Sequence, residues 1–284
     1  MPHNFAVLAD VHLLPETQDQ IQELASEKIN FPSDHPEENA LIERTGAATI
    51  VLVSPGTKIT EGYFDNCPSV RHVIICGTSK ANIDLASAAS HNVQIHNITH
   101  YGDDVAAETI MNRLQDLLSS GRTNLQDLKG TSMGIVGLGA VGSAIAAQAQ
   151  RSGMHASYFG PHQKPNTTIP YRPLLELLAS SDVIVLSGPG NQMVLGEAEF
   201  GAIKPRAILV QVSQGDITDI EALKKWVSNE DNLVLLDGAA GNETRRALSD
   251  VPNVQILAEH SGYSLKSRQL LGQKVVSTLK QILG

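Results

Sequence analysis

Three closely spaced glycines carry the first legible chemistry. Residues 132–142 read Ser-Met-Gly-Ile-Val-Gly-Leu-Gly-Ala-Val-Gly, which places Gly137, Gly139 and Gly142 at the spacing G-x-G-x-x-G. Alone the pattern is weak, because a chain with 23 glycines produces such spacings by chance. Its flanks make it specific: a buried-strand run precedes it and a small-residue helical run, SAIAAQAQ, follows at once. In that setting Gly137 permits the tight turn, Gly139 lets the backbone approach a pyrophosphate, and Gly142 lets helix and strand pack closely. Ala140 and Val141 open the helix, whose first N–H groups have no partner of their own and suit a phosphate. The arrangement predicts a dinucleotide site.

The next position that bears on such a ligand lies at the end of the following strand. There an Asp or Glu, about 20 residues beyond the glycines, binds the ribose 2′-OH of NAD. Here the count lands on Gly160, followed by Pro161-His162-Gln163-Lys164, with no carboxylate. His162 and Lys164 either face a 2′-phosphate, which favours NADP, or are ordinary loop residues. The expected cofactor is therefore NAD or NADP. Other pairings are poorer. His96 and His100 are four apart but straddle a strand-to-loop change with no third ligand in view, so no metal is expected. No G-x-S-x-G nucleophile turn is present.

These residues need a scaffold, and the hydrophobic pattern predicts one. Short β-branched runs at 5–9, 49–53, 70–75 and 93–96 alternate with helical stretches at 16–28, 36–45 and 82–90. A long amphipathic helix, 102–119, ends at Gly121, the position of a left-handed closing residue. Strands are then expected at 132–136, 155–159, 182–186, 207–212, 233–236 and 254–257. Between and after them come helices at 140–152, 172–179, 218–228 and 263–283. The alternation, given twice with different motifs, predicts α/β architecture with two doubly wound parallel-sheet domains.

Composition agrees with two ordinary domains: 284 residues, 42% hydrophobic. No charge-free apolar run is long enough to cross a bilayer, and Met1-Pro2-His3-Asn4 lacks the start of a signal peptide. Cys67 and Cys76 form neither a C-x-x-C pair nor a disulfide framework, so a cytoplasmic location is expected. A net charge of −9 with scattered Lys and Arg argues against nucleic acid, and no membrane partner is expected. Trp226 reads as helix packing.

Five blocks in order make the chain resemble the D-isomer-specific 2-hydroxyacid dehydrogenase family. They are GTSKANIDLASAASHNVQIHN (77–97), LKGTSMGIVGLGAVGSAIAAQAQRSG (128–153), LLELLASSDVIVLSGPG (174–190), FGAIKPRAILVQVSQGDITDIEAL (200–223) and DVPNVQILAEHSG (250–262). The resemblance implies a Rossmann cofactor domain, residues 101–258, inserted in a flavodoxin-like substrate domain, residues 1–100 plus 259–284. It implies a homodimer through the cofactor domain and an NAD(P)-dependent oxidoreductase acting on CH–OH or C=O of a small-molecule substrate. The alternative is a dinucleotide-binding regulator that kept the fold and lost efficient catalysis.

It also implies a site. His260 stands where the family has its acid/base histidine. The orienting carboxylate falls at Asn242 or Glu243, of which Glu243 has the required chemistry. Asp237 matches a residue at the nicotinamide end, and Ser187, Pro189, Val212, Ser213 and Gly262 match the rest of the cofactor lining. Gly77, Thr78, Ser79, His100 and Tyr101 fall to the substrate. Two positions depart from the pattern: Gln214 replaces the arginine that grips the substrate carboxylate, and Glu259 replaces the proline before the histidine. A neutral amide donates one hydrogen bond but supplies no charge. Either the substrate lacks a carboxylate beside its carbonyl, or Arg245 or Arg246 provides the cation.

Overall fold

The computed structural model describes residues 4–80, 82–188 and 193–284. The chain divides into two compact units, Met1–Gly102 with Leu265–Gly284, and Asp103–Ser264. In the first unit, β1 (Phe5–Val7), α1 (Pro15–Leu24), α2 (Glu38–Thr45), β2 (Ile50–Val53), α3 (Glu61–Asn66), β3 (His72–Ile75), α4 (Leu85–Ser90) and β4 (Gln94–Asn97) follow one another. The four strands pair in parallel in the order β1-β2-β3-β4. Alternate residues of β2 and β3 point to opposite faces and enter different cores. Ile50, Leu52 and Ile74 pack on one side, and Val51, Val53, Val73 and Ile75 on the other.

The second unit opens with α5 (Asp103–Ser119), then β5 (Ser132–Val136), α6 (Ala140–Arg151), β6 (His155–Phe159), α7 (Leu174–Ser180) and β7 (Val183–Leu186). It continues with α8 (Glu197–Ala202), β8 (Ile208–Gln211), α9 (Ile220–Val227), β9 (Leu233–Leu236), α10 (Asn242–Ala247) and β10 (Val254–Ile256). The chain ends in α11 (Leu265–Leu283), whose Leu271, Val275, Val276 and Leu279 belong to the first unit's core. All six strands of the second unit are parallel, in the order β10-β9-β8-β7-β5-β6. Its central strands are apolar on both faces because helices cover both, α5 and α6 on one side and α7, α8 and α9 on the other. The strand order reverses at β5, which pairs with β6 on one side and β7 on the other. Such a switch point is where open α/β sheets bind ligands.

All ten expected strands form. Three helices, α3, α8 and α10, were not expected from the pattern. Each has six residues, too few turns for a 3.6-residue apolar repeat to register. The helix expected over 16–28 stops at Leu24 because Ala25 turns extended. At the far end of α5, Gly121 takes φ +67° as expected. The N–H groups of Gly121 and Arg122 then bond the carbonyls of Leu118 and Leu117, a complete Schellman closure. Among the described residues no helix is long and apolar enough to cross a membrane, and no cluster of three metal-ligating side chains occurs.

Candidate active site

The glycine turn leaves β5 at the switch point. Gly137 has φ +100°, and a Cβ there would lie 2.7 Å from the Gly188 nitrogen. A Cβ on Gly142 would lie 2.2 Å from the Gly137 carbonyl oxygen, so two of the three glycines are fixed by backbone geometry. Gly139 differs: a Cβ there would meet nothing within 4 Å. It is also the N-cap of α6, which begins without a side-chain cap. Open space above uncapped N–H groups fits a pyrophosphate. Hydroxyls brace the turn from the neighbouring strand ends. Ser187 Oγ donates to the Gly137 carbonyl at 2.6 Å, and Ser213 Oγ donates to the Gly188 carbonyl at 2.9 Å. Val212 is buried in the core on the α5/α6 side of the sheet, and Pro189 lies outside the described residues.

The loop after β6 folds back on this turn. Gly160 carries no side chain, and a Cβ there would find room, 3.8 Å from the His162 carbonyl oxygen. The Tyr158 hydroxyl accepts the Lys164 N–H at 2.6 Å, and the Lys164 ammonium donates to the Leu138 carbonyl inside the glycine turn. A cation thus stands at the glycine turn. His162 is exposed.

Three strand-end loops gather the remaining candidates. His260 follows β10 and is exposed, and its Nδ1 accepts the Gly262 N–H at 3.0 Å. The neutral ring must then carry its proton on Nε2. Asp237, at the end of β9, is fully buried. One of its oxygens accepts the Ala239 N–H at 2.8 Å and the other the Ser261 N–H at 2.9 Å. Gly238 N–H bonds the Glu259 carbonyl, and a Cβ on Gly238 would lie 2.6 Å from the His260 nitrogen. The segment carrying His260 is therefore laced to the end of β9 by Asp237 and Gly238.

The loop after β8 is tied in by a different acid. Gln214 is exposed in it, two residues before Asp216. Gly241 caps α10 but has no side chain to do so. Asp216 substitutes from the neighbouring loop, its Oδ1 accepting the Thr244 N–H at 2.9 Å and the Thr244 hydroxyl at 2.7 Å. Such a cap contributes about 1 kcal/mol. A Cβ on Gly241 would lie 1.9 Å from Asp216 Oδ1, so a side chain there would displace the capping carboxylate. Asn242 and Glu243 are exposed in the first turn of α10, and no hydrogen bond joins either to His260. Arg245, half-buried, donates from Nη1 to the Gly238 carbonyl at 3.2 Å, while Arg246 is exposed.

A model of the D-isomer specific 2-hydroxyacid dehydrogenase NAD-binding domain matches residues 93–262. The chain belongs to that family. The dehydrogenase is 27% identical over 256 residues to a glyoxylate reductase of Thermococcus gammatolerans, covering 78% of this chain and 75% of the relative. Solved structures share the fold over nearly the whole chain. A D-lactate dehydrogenase of Aquifex aeolicus, complexed with NAD and lactic acid, superposes with TM-score 0.75 at 18% identity, covering 99% of this chain and 95% of that one. An acyclic imino acid reductase in complex with NADPH and D-Arg gives 0.82 at 20%, covering 99% and 97%. The protein is an NAD-dependent oxidoreductase of the 2-hydroxyacid dehydrogenase type.

In the first unit, the candidates Gly77, Thr78 and Ser79 follow β3. Gly77 is held against Pro55, whose Cγ a Cβ would approach to 2.1 Å, and its carbonyl accepts the Ile98 N–H. Asn97 Nδ2 donates to the Thr78 carbonyl at 2.6 Å, so the loop is tied to the end of β4. His100 takes φ +56° in the connection after β4, with Tyr101 next to it packed on that unit's core. Sequence reasoning missed Asp216. Its partner Thr244 is 28 residues away, and no local pattern announces a cap supplied from another loop.

Proposed function

We propose that the dehydrogenase reduces a small 2-oxo compound, with His260 as the acid that protonates the carbonyl oxygen. One observation carries this: His260 is an exposed imidazole on a segment that Asp237 and Gly238 tie to the end of β9. As the imidazolium the ring gives its Nε2 proton to the oxygen during reduction and becomes neutral; in the reverse direction the neutral ring takes that proton from the hydroxyl. Gln214 donates a hydrogen bond to an oxygen of the substrate. Gly77, Thr78, Ser79, His100 and Tyr101 hold its other groups. We give the orienting task to Gly262 rather than to Glu243, which the family resemblance favours. Asp237 acts on the same segment through Ser261.

The bound cofactor supplies the hydride. Gly137 to Gly142 and the start of α6 hold its pyrophosphate, with Ser187, Val212, Ser213 and Gly262 lining that side. Gly160 and Lys164 support NADP as well as NAD, since no carboxylate repels a 2′-phosphate and a cation stands close by. The second unit is thus the cofactor domain and the first the substrate domain. Two free, buried cysteines support a reducing cytoplasm, and the family resemblance supports a homodimer through the cofactor domain.

The test is a turnover screen of 2-oxo acids, aldehydes and ketones with NADH and NADPH. On any substrate found, His260→Gln should lower kcat by about 10²–10⁴ and leave dinucleotide affinity intact. Glu243→Gln should cost less than about tenfold. A blank screen with dinucleotide binding retained would instead support a regulator.

A further inference from the structure

Tyr158 lies in β6 and is fully buried, yet both its backbone and its hydroxyl serve the loop that follows. Tyr158 N–H donates to the Pro170 carbonyl at 2.9 Å, and Arg172 N–H donates to the Tyr158 carbonyl at 2.8 Å. The Tyr171 ring meets the Tyr158 ring edge to face, with centroids 5.5 Å apart. The chain from Gly160 to Pro170 thus leaves β6 and returns to its side. The Tyr158 hydroxyl reaches the middle of that excursion, accepting the Lys164 N–H at 2.6 Å. One buried residue therefore fixes both where the loop returns and where its centre lies.

The centre of the loop carries a charge. Lys164 is exposed and forms no ion pair among the described residues, whereas Lys204, Lys224 and Lys225 each meet a carboxylate. Its ammonium has three donors; one lies on the Leu138 carbonyl inside the glycine turn, and two remain for a ligand. A lysine on a free loop loses backbone and rotamer freedom when it closes on a ligand. A loop pinned by a buried hydroxyl has lost much of that freedom on folding, so binding costs less. We infer that Tyr158 is a positioning residue for cofactor choice: its hydroxyl holds Lys164 where the ammonium takes the ribose 2′-phosphate of NADP. The inference rests on the reading above that the site accepts NADP, and adds to it the buried group that sets that affinity. The pyrophosphate, common to both dinucleotides, belongs to the glycine turn and the start of α6, so the effect of Tyr158 falls on NADPH alone.

The test titrates NADPH and NADH separately into the full-length protein, following cofactor fluorescence. Tyr158→Phe keeps the ring and its packing on Tyr171 and removes only the acceptor. It weakens NADPH binding at least about fivefold and changes NADH binding by less than about twofold. Lys164→Ala weakens NADPH binding at least about tenfold and is equally indifferent to NADH. When both substitutions are combined, NADPH binds no more weakly than in Lys164→Ala alone, because the hydroxyl acts only through the lysine. Equal losses for the two dinucleotides in Tyr158→Phe overturn the inference, since a general loosening of β6 would produce them. Additive losses in the double variant overturn it as well. NADPH affinity untouched by Tyr158→Phe sinks the inference and leaves the cofactor reading standing. A wild type that binds NADH and not NADPH sinks that reading, and the inference with it.

Discussion

Asp237→Asn keeps the side chain's shape and removes only its charge and one acceptor. The carboxylate is fully buried and spends one oxygen on Ala239 N–H and the other on Ser261 N–H. An asparagine oxygen can satisfy one of these donors, and its NH2 must then face the other. One charge-assisted bond, at about 1.5–3 kcal/mol, is lost, and a buried N–H is left unpaired at about 1–3 kcal/mol. Removing a buried charge returns part of this, because desolvating a carboxylate costs several kcal/mol. The expected net loss is about 2–4 kcal/mol. Urea titration reads it as a lower midpoint at unchanged slope, and hydrogen exchange reads it as faster exchange at Ser261. Displacing the His260 segment by about 1 Å should lower kcat by about 10²-fold. Dinucleotide affinity should stay within about threefold, since on this geometry both oxygens serve the protein's own backbone. Two results would refute the reasoning: a destabilisation under about 1 kcal/mol, the range of an ordinary surface substitution, or a loss of dinucleotide affinity as large as the loss of kcat. The second would return Asp237 to the nicotinamide end.

Gly160→Asp has room for its side chain and should shift the NADH-to-NADPH affinity ratio at least about tenfold toward NADH; a wild type that already favours NADH about a hundredfold would show that the loop is misread. Burial, with Lys80 close by, holds the His96 imidazole below its ordinary range, in contact with His72 at 3.2 Å. The unfolded chain takes that proton near pH 6.5 while the folded chain stays neutral, so stability falls as pH drops below about 6.5 and is unaffected above it. His96→Gln should flatten that fall in urea midpoints taken at about pH 5 and 7.5, and an identical pH dependence in variant and wild type would count against the burial argument.

The strands, the helices other than α3, α8 and α10, and the glycine turn were legible in the sequence because each is written by neighbours in the chain. Apolar alternation marks a pleated strand, a 3.6-residue repeat marks a helix face, and Gly137 and Gly142 are demanded by a turn six residues long. The family blocks likewise singled out His260 as the candidate acid and Gln214 as a departure from the pattern. What the sequence left open depended on partners far apart in the chain. Asp216 caps a helix 28 residues away, Asp237 holds an amide 24 residues away, and Lys164 reaches back 26 residues to the glycine turn. Between Asn242 and Glu243 the sequence could only count positions. The fold put neither on the imidazole and placed a backbone N–H there instead. Hydrogen bonds act over about 3 Å whatever the separation along the chain, so only the packed sheet, by bringing the ends of β8, β9 and β10 together, decides which donor meets which acceptor.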